Sequence, residues 1–284
     1  MTRLIPSAIA ALFVGAGALA AAPVATHAAA HPTHRAGAPS GQYYESVIYP
    51  RGAASISHGS LATVPGTTGL RLKFYTGYLK PDIIYREDLM TGRCGTAGSR
   101  ALALPRAQAD PDGSINFLTS VNPSVLAGKT LHATVTEDTP GAAPVACGDI
   151  YPAAIVLPLH AVKTNVVNGA SGVALFNAGV RGNEVLYKAP NAIGTNVVIF
   201  AQGLEPSTTH ESHIHNGQCI PDENNQVRYD LYYMETDPNG EGVVGTFFNG
   251  RLDLANSYVQ VHAATLQSAT CGDFGGNGLP IMNP

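Results

Sequence analysis

The chain has 284 residues, of which 45% are hydrophobic and only 13% charged, with a formal net charge of −4, 31 Gly, 20 Pro and no Trp. Lys and Arg are sparse and unclustered, which excludes the electrostatic footprint of a nucleic-acid binder. The length suffices for one large or two modest cores.

In chain order, Met1-Thr2-Arg3 opens a run that is apolar from Leu4 to Val24 and ends in small-residue sites at Ala20-Ala21-Ala22 and Ala28-Ala29-Ala30. A basic start, an apolar middle and an Ala-x-Ala ending predict a secretory signal peptide over residues 1–30, with a retained membrane anchor as the alternative. No later stretch is apolar enough to span a bilayer, so no membrane association is expected after cleavage. Export would place Cys94, Cys147, Cys219 and Cys271 in an oxidising compartment, where four cysteines allow three disulfide pairings. Residues 31–42 lack periodicity and read as a solvated, flexible linker, although His27, His31 and His34 could catch metal ions loosely.

From Tyr43 onward, short β-like segments alternate with Gly, Pro, Asn and Asp, the pattern of an all-β sandwich or barrel. Strands are expected at Tyr44 to Tyr49, Leu70 to Thr76, Ile115 to Leu118 and Leu131 to Val135, and helix should be scarce. The chain also repeats itself at a period of roughly 125 residues. Gly69-Leu70-Arg71-Leu72-Lys73-Phe74 with Leu79-Lys80-Pro81 corresponds to Thr195-Asn196-Val197-Val198-Ile199-Phe200 with Leu204-Glu205-Pro206. Asp110-Pro111-Asp112-Gly113 returns as Asp237-Pro238-Asn239-Gly240, and Cys147-Gly148-Asp149 as Cys271-Gly272-Asp273. Two tandem domains follow, 43–151 and 152–275, with a flexible tail at 276–284. Equivalent units close equivalent loops, which predicts Cys94 with Cys147 and Cys219 with Cys271.

The second repeat carries the chemistry. Thr208-Thr209-His210-Glu211-Ser212-His213-Ile214-His215 places three imidazoles in six residues. On a strand, side chains two apart share a face, so His213 and His215 offer nitrogens to one spot while Ile214 turns inward. Tyr258-Val259-Gln260-Val261-His262 reads as a further strand, and a Cys219–Cys271 bridge would draw His262 towards that pair. Three neutral imidazoles suit copper, zinc, iron or nickel. His-x-His on a strand is, without such context, more often simply a polar face. Aligning Cys94 with Cys219 sets Tyr85 against His210, Asp88 against His213, Met90 against His215 and Thr136 or Glu137 near His262. The first copy therefore lacks the cluster. His58 and His160 stand alone in the sequence, with no visible partner.

Gly203-Leu204-Glu205-Pro206 leading to His210-x-x-His213-x-His215, then Gly217 and Cys219, resembles the copper strand of copper/zinc superoxide dismutases; Val259-Gln260-Val261-His262 resembles that family's later ligand strand and Cys271-Gly272 its last half-cystine. The resemblance spans about Gly169 to Phe274 and implies a Greek-key β-barrel or flattened sandwich in each repeat. It also implies copper held by His213, His215 and His262, His210 as a supporting histidine, a Cys219–Cys271 disulfide and superoxide as substrate. Two features depart from the family. Ile220 to Gly242 contains no histidine, so the bridging and zinc histidines are missing and no zinc site is expected; Asp222, Glu223, Asp230 and Asp237 read as solvent-facing loop carboxylates. Ser268 replaces the family's active-site arginine, whose role Arg251 or another basic side chain would have to take. Two readings follow: a secreted copper protein, with superoxide dismutation or copper delivery as its task, or a metal-free extracellular β-scaffold or partner-binding protein of the CHRD type. No catalytic residue can be assigned from sequence.

Overall fold

The computed structural model describes residues 43–51, 55–162, 167, 169–181, 193–219 and 226–274. The expected signal peptide, the linker at 31–42, the tail at 276–284, and Asp222 and Glu223 lie outside the described residues. The first repeat comprises β1 (Tyr44–Pro50), β2 (His58–Pro65), β3 (Leu70–Gly77), β4 (Ile84–Thr91), β5 (Arg100–Ala103), β6 (Ala107–Gln108), β7 (Ile115–Val121), a single helical turn α1 (Pro123–Leu126), β8 (Leu131–Glu137) and β9 (Pro144–Pro152). The second comprises β10 (Ile155–Ala161), β11 (Ser171–Arg181), β12 (Ile193–Gln202), β13 (Thr209–His210), β14 (Ser212–Asn216), β15 (Val227–Asp230), β16 (Met234–Glu235), β17 (Gly242–Asn249), β18 (Ser257–His262) and β19 (Ser268–Asp273). All four strands expected from alternation are present.

The protein is all-β, built from two curled antiparallel sheets that each form a half-barrel. The first runs β5-β4-β8-β9-β1-β2-β3-β7 and the second β15-β14-β18-β19-β10-β11-β12-β17. Strand for strand these orders are the same, so the repeat seen in the sequence is a repeat of topology. The crossovers from β3 to β4 and from β7 to β8 carry the chain between sheet ends, as a Greek-key arrangement requires.

The repeated Asp-Pro-x-Gly turns show how local sequence builds this. Asp110 Oδ1 accepts from the Asp112 and Ser114 amides at 3.0 and 2.8 Å; Asp237 Oδ1 accepts from those of Asn239 and Glu241 at 2.8 and 3.1 Å. Gly113 and Gly240 follow with φ of 77° and 73°. A Cβ on either would stand 2.3 or 2.2 Å from the carbonyl oxygen of Leu79 or Leu204, so only glycine fits. The disulfides close as the repeat predicts, Cys94–Cys147 and Cys219–Cys271, each with Cα atoms 5.9 Å apart.

Each half-barrel encloses its own core. Ile48, Leu61, Leu72, Phe74 and Leu89 fill the first, and Phe176, Val197, Ile199, Ile214, Val259 and Val261 the second. A third apolar cluster lies between the repeats, where Val47, Ala62 and Tyr75 meet Leu175, Val198, Phe200, Val243 and Phe247. Both repeats belong to one compact unit.

Polar groups are buried at this junction too. Lys73, fully buried, donates to Asp237 Oδ2 at 2.5 Å, and Arg71 pairs with Glu241. Asp237 is therefore not a solvent-facing loop carboxylate, because the first sheet covers its turn. His58 is not isolated either: its ring lies between those of Tyr78 and Tyr232, with centroids 4.7 and 4.9 Å away.

Burial raises the carboxyl of Glu45, which accepts from Asn196 Nδ2 at 2.9 and 3.2 Å, to about 8; it raises Glu87, which no other side chain among the described residues hydrogen-bonds, also to about 8. Both groups are protonated in the fold but ionise in the unfolded chain above its ordinary carboxyl pKa. Their contribution is thus fully present below about pH 4.5 and lost as pH rises towards 8, by up to about 1.4 kcal/mol per pH unit for each group. A Glu45→Gln/Glu87→Gln protein should show a flatter decline between pH 5 and 8. Urea unfolding at several pH values checks this; an unchanged slope would mean that neither carboxyl carries the shift.

Candidate metal centre

Two neighbouring strands position the histidines. β14 pairs antiparallel with β18 so that His213 lies opposite Gln260 and His215 opposite Tyr258, while Ile214, fully buried, turns into the core. His262 follows at the end of β18, where its register with β19 shifts, and its backbone amide donates to the Glu211 carbonyl at 2.8 Å. A bulge of this kind re-aims a side chain at a strand end.

His213, His215 and His262 come together as expected, each offering a nitrogen within 4.8 Å of the others. Among the described residues, this is the group of His, Cys and carboxylate side chains that can hold a metal ion. Ring centroids lie 5.4 Å apart for His213 and His215, 5.2 Å for His213 and His262, and 5.9 Å for His215 and His262. His213 Nδ1 is 3.3 Å from His262 Nε2. Two nitrogens each about 2.0 Å from one ion at a tetrahedral angle stand about 3.3 Å apart, so this spacing suits a shared ion.

The tautomers follow from the surroundings. His262 Nδ1 lies 2.9 Å from the Leu266 carbonyl and must donate to it, which leaves the Nε2 lone pair facing His213. His213 turns Nε2 towards carboxylates, with Asp230 Oδ1 at 3.7 Å and Glu211 Oε2 at 4.0 Å, and keeps Nδ1 for the centre. Ligand histidines use carbonyls and carboxylates in this way. The third ring, His215, is buried and stacks on Tyr258, with centroids 5.0 Å apart and planes 13° from parallel.

Burial, and then the neighbouring imidazoles His215 and His213 respectively, lower the pKa of His213 and His262; for His262 the bond to Leu266 partly offsets this. Both rings are therefore neutral at neutral pH, the form that ligates a metal. His210 is not placed to ligate. It is fully buried, with Nδ1 2.9 Å from the His262 carbonyl and Nε2 3.2 Å from the Glu205 carbonyl. It braces the backbone beneath His262, whereas its first-repeat counterpart Tyr85 accepts from the amide of Lys80, the residue corresponding to Glu205, at 3.1 Å.

Strand register confirms the alignment of the copies. Asp88 lies opposite Thr134 as His213 lies opposite Gln260, which makes Thr136 rather than Glu137 the counterpart of His262. In the first copy Asp88 Oδ2 accepts from Arg86 Nε at 3.2 Å, and Asp88 Oδ1 forms an ion pair with Arg100, whose Nε lies 2.8 Å away. Arg86 and Arg106 also pair with Asp138, at 3.7 and 2.8 Å. Ion pairs thus occupy the place where the second copy gathers its imidazoles.

Sequence reasoning missed the neighbours of the cluster. Tyr258 and Gln260 alternate with His262 and so share its face, a signal legible from strand periodicity alone. Ser268 is buried opposite His262, and among the described residues no contact joins the exposed Arg251 to the histidines. No protein-family model matches the chain, and no curated protein matches it.

Proposed function

We propose that the second repeat binds one copper ion through His213, His215 and His262, and that the chain acts outside the cytoplasm as a redox protein of the superoxide dismutase-like kind. The observation that carries this reading is the convergence of three imidazole nitrogens within 4.8 Å, two of them 3.3 Å apart and aimed at each other. Neutral, partly buried imidazoles suit copper, and the two disulfides point to an oxidising, non-cytoplasmic compartment. The leader-like N-terminus extends this to secretion.

Copper supplies an ion that cycles between two oxidation states. The chain's own residues fix the donors: the Leu266 carbonyl sets the tautomer of His262, Tyr258 holds the plane of His215, and His210 secures the strand end. With Ser268 in place of an arginine, the site has less positive potential to draw in a small anion. Copper binding should therefore be tight and superoxide consumption slow relative to a site that steers its substrate.

The test is a copper titration of the oxidised chain beside a His213→Ala/His215→Ala variant, followed by superoxide consumption on the same samples. One equivalent of copper is expected, with affinity falling more than about 100-fold in the variant, since even outer partners of a ligand are worth 10–100-fold. Equal uptake by both proteins would sink the metal reading and leave a disulfide-bonded scaffold. Copper bound without superoxide consumption would confine the role to storage or delivery.

A further inference from the structure

The rows of β14 and β18 form a grid on one face of the sheet. Glu211 and His262 adjoin through the backbone bond described above, His213 faces Gln260, and His215 faces Tyr258. Gln260 thus occupies the middle of the face, across from one histidine, two residues along the strand from another, and diagonal to the third. Directly opposed residues in an antiparallel pair have Cβ atoms about 4.5–5.5 Å apart.

Its burial is unusual for this side chain. Gln260 is only 5% exposed, and its Oε1 is buried with no hydrogen-bond partner among the described residues. Leaving a buried acceptor without a hydrogen bond is destabilising. Nothing in the apolar core requires an amide here, because the strand's inward positions are taken by Val259 and Val261. An ion held by the three nitrogens that converge on this face would give such an acceptor a partner.

We propose that Gln260 is a fourth member of the metal centre, its side-chain amide oxygen serving as a weak ligand beside His213, His215 and His262. This rests on the copper reading above. A neutral amide oxygen is a poor donor next to imidazole and binds long and weakly, which favours the oxidised ion modestly and leaves the position exchangeable. The corresponding first-copy residue is Thr134, which shares its site with no histidine triad.

Copper-loaded wild-type protein, Gln260→Val and Gln260→Glu are compared by electron paramagnetic resonance and by the midpoint potential of the copper couple. Valine keeps bulk without a donor, and glutamate offers a charged oxygen. All three should retain one equivalent of copper, with altered hyperfine splitting in both variants, a raised potential in Gln260→Val and a lowered one in Gln260→Glu. Thermal unfolding of the metal-free proteins confirms that each variant is folded. Spectra and potentials matching wild type in both variants would overturn the assignment while leaving the three-histidine site intact. Failure of the wild type itself to take up copper would instead defeat the underlying reading.

Discussion

Lys73→Met is expected to destabilise the protein by about 3–5 kcal/mol, the cost of leaving a buried charge without its partner. Lys73 projects from β3 into the junction between the repeats, with no exposed side-chain surface, and its ammonium reaches Asp237 in the turn before β17. Removing the lysine strands the Asp237 carboxylate, 6% exposed, beneath the first sheet. Asp237 cannot simply move away, because its other oxygen holds the Asn239 and Glu241 amides. A Lys73→Met/Asp237→Asn protein should regain most of the loss, since asparagine keeps an oxygen for the turn and carries no charge. Urea midpoints for the single and double variants measure both. A cost below about 1 kcal/mol for the single change would indicate that water reaches the pair and that the repeats do not close over it.

The second large effect separates the two disulfides. Replacing either Cys94 and Cys147 or Cys219 and Cys271 by alanine should cost roughly 2–5 kcal/mol, mostly through the freedom restored to the unfolded chain. Their consequences for copper should differ. Cys271 lies opposite Gln260 in the β18–β19 pairing, and the bridge packs with Tyr258, on which His215 is stacked. Losing this bridge loosens one wall of the site, and copper affinity should fall by at least tenfold, within the range seen for outer supports of a ligand. The other bridge joins loop and strand in the repeat without the histidine cluster, and its loss should leave affinity unchanged. Titration of both variants below their unfolding transitions tests this; equal effects on copper would show that the bridge matters only for overall stability.

Much of this architecture can be read from the chain, for identifiable reasons. Alternation marks β1, β3, β7 and β8, and the recurring Asp-Pro-x-Gly and Cys-Gly-Asp sequences align the copies closely enough to pair the cysteines. His213 and His215 announce themselves by spacing, and His262 by its distance from Cys271. The junction between the repeats is not legible in the same way. Leu70-Arg71-Leu72-Lys73-Phe74 alternates as a strand with one face in water, yet a second sheet covers the position of Lys73. Glu45 and Asp237 mislead similarly, because periodicity reports which residues share a face but not what lies against it. Gln260 falls in the same class: a polar residue at an outward position reads as solvated until the strands beside it and the disulfide are known.

The two repeats are joined by only Ala153 and Ala154 between β9 and β10, and they meet through unlike faces. In a dimer of identical subunits every substitution strikes the contact twice, and a favourable change on one side is met by its own copy on the other. Here strand register, one residue off the sequence alignment, sets Lys73 opposite Leu118 as it sets Val198 opposite Gly245, so a cation could stand on one face while its counterpart stayed apolar and an acid served as its partner. Because both halves lie on one chain, the two sides of the contact can differ, and no dilution can part them.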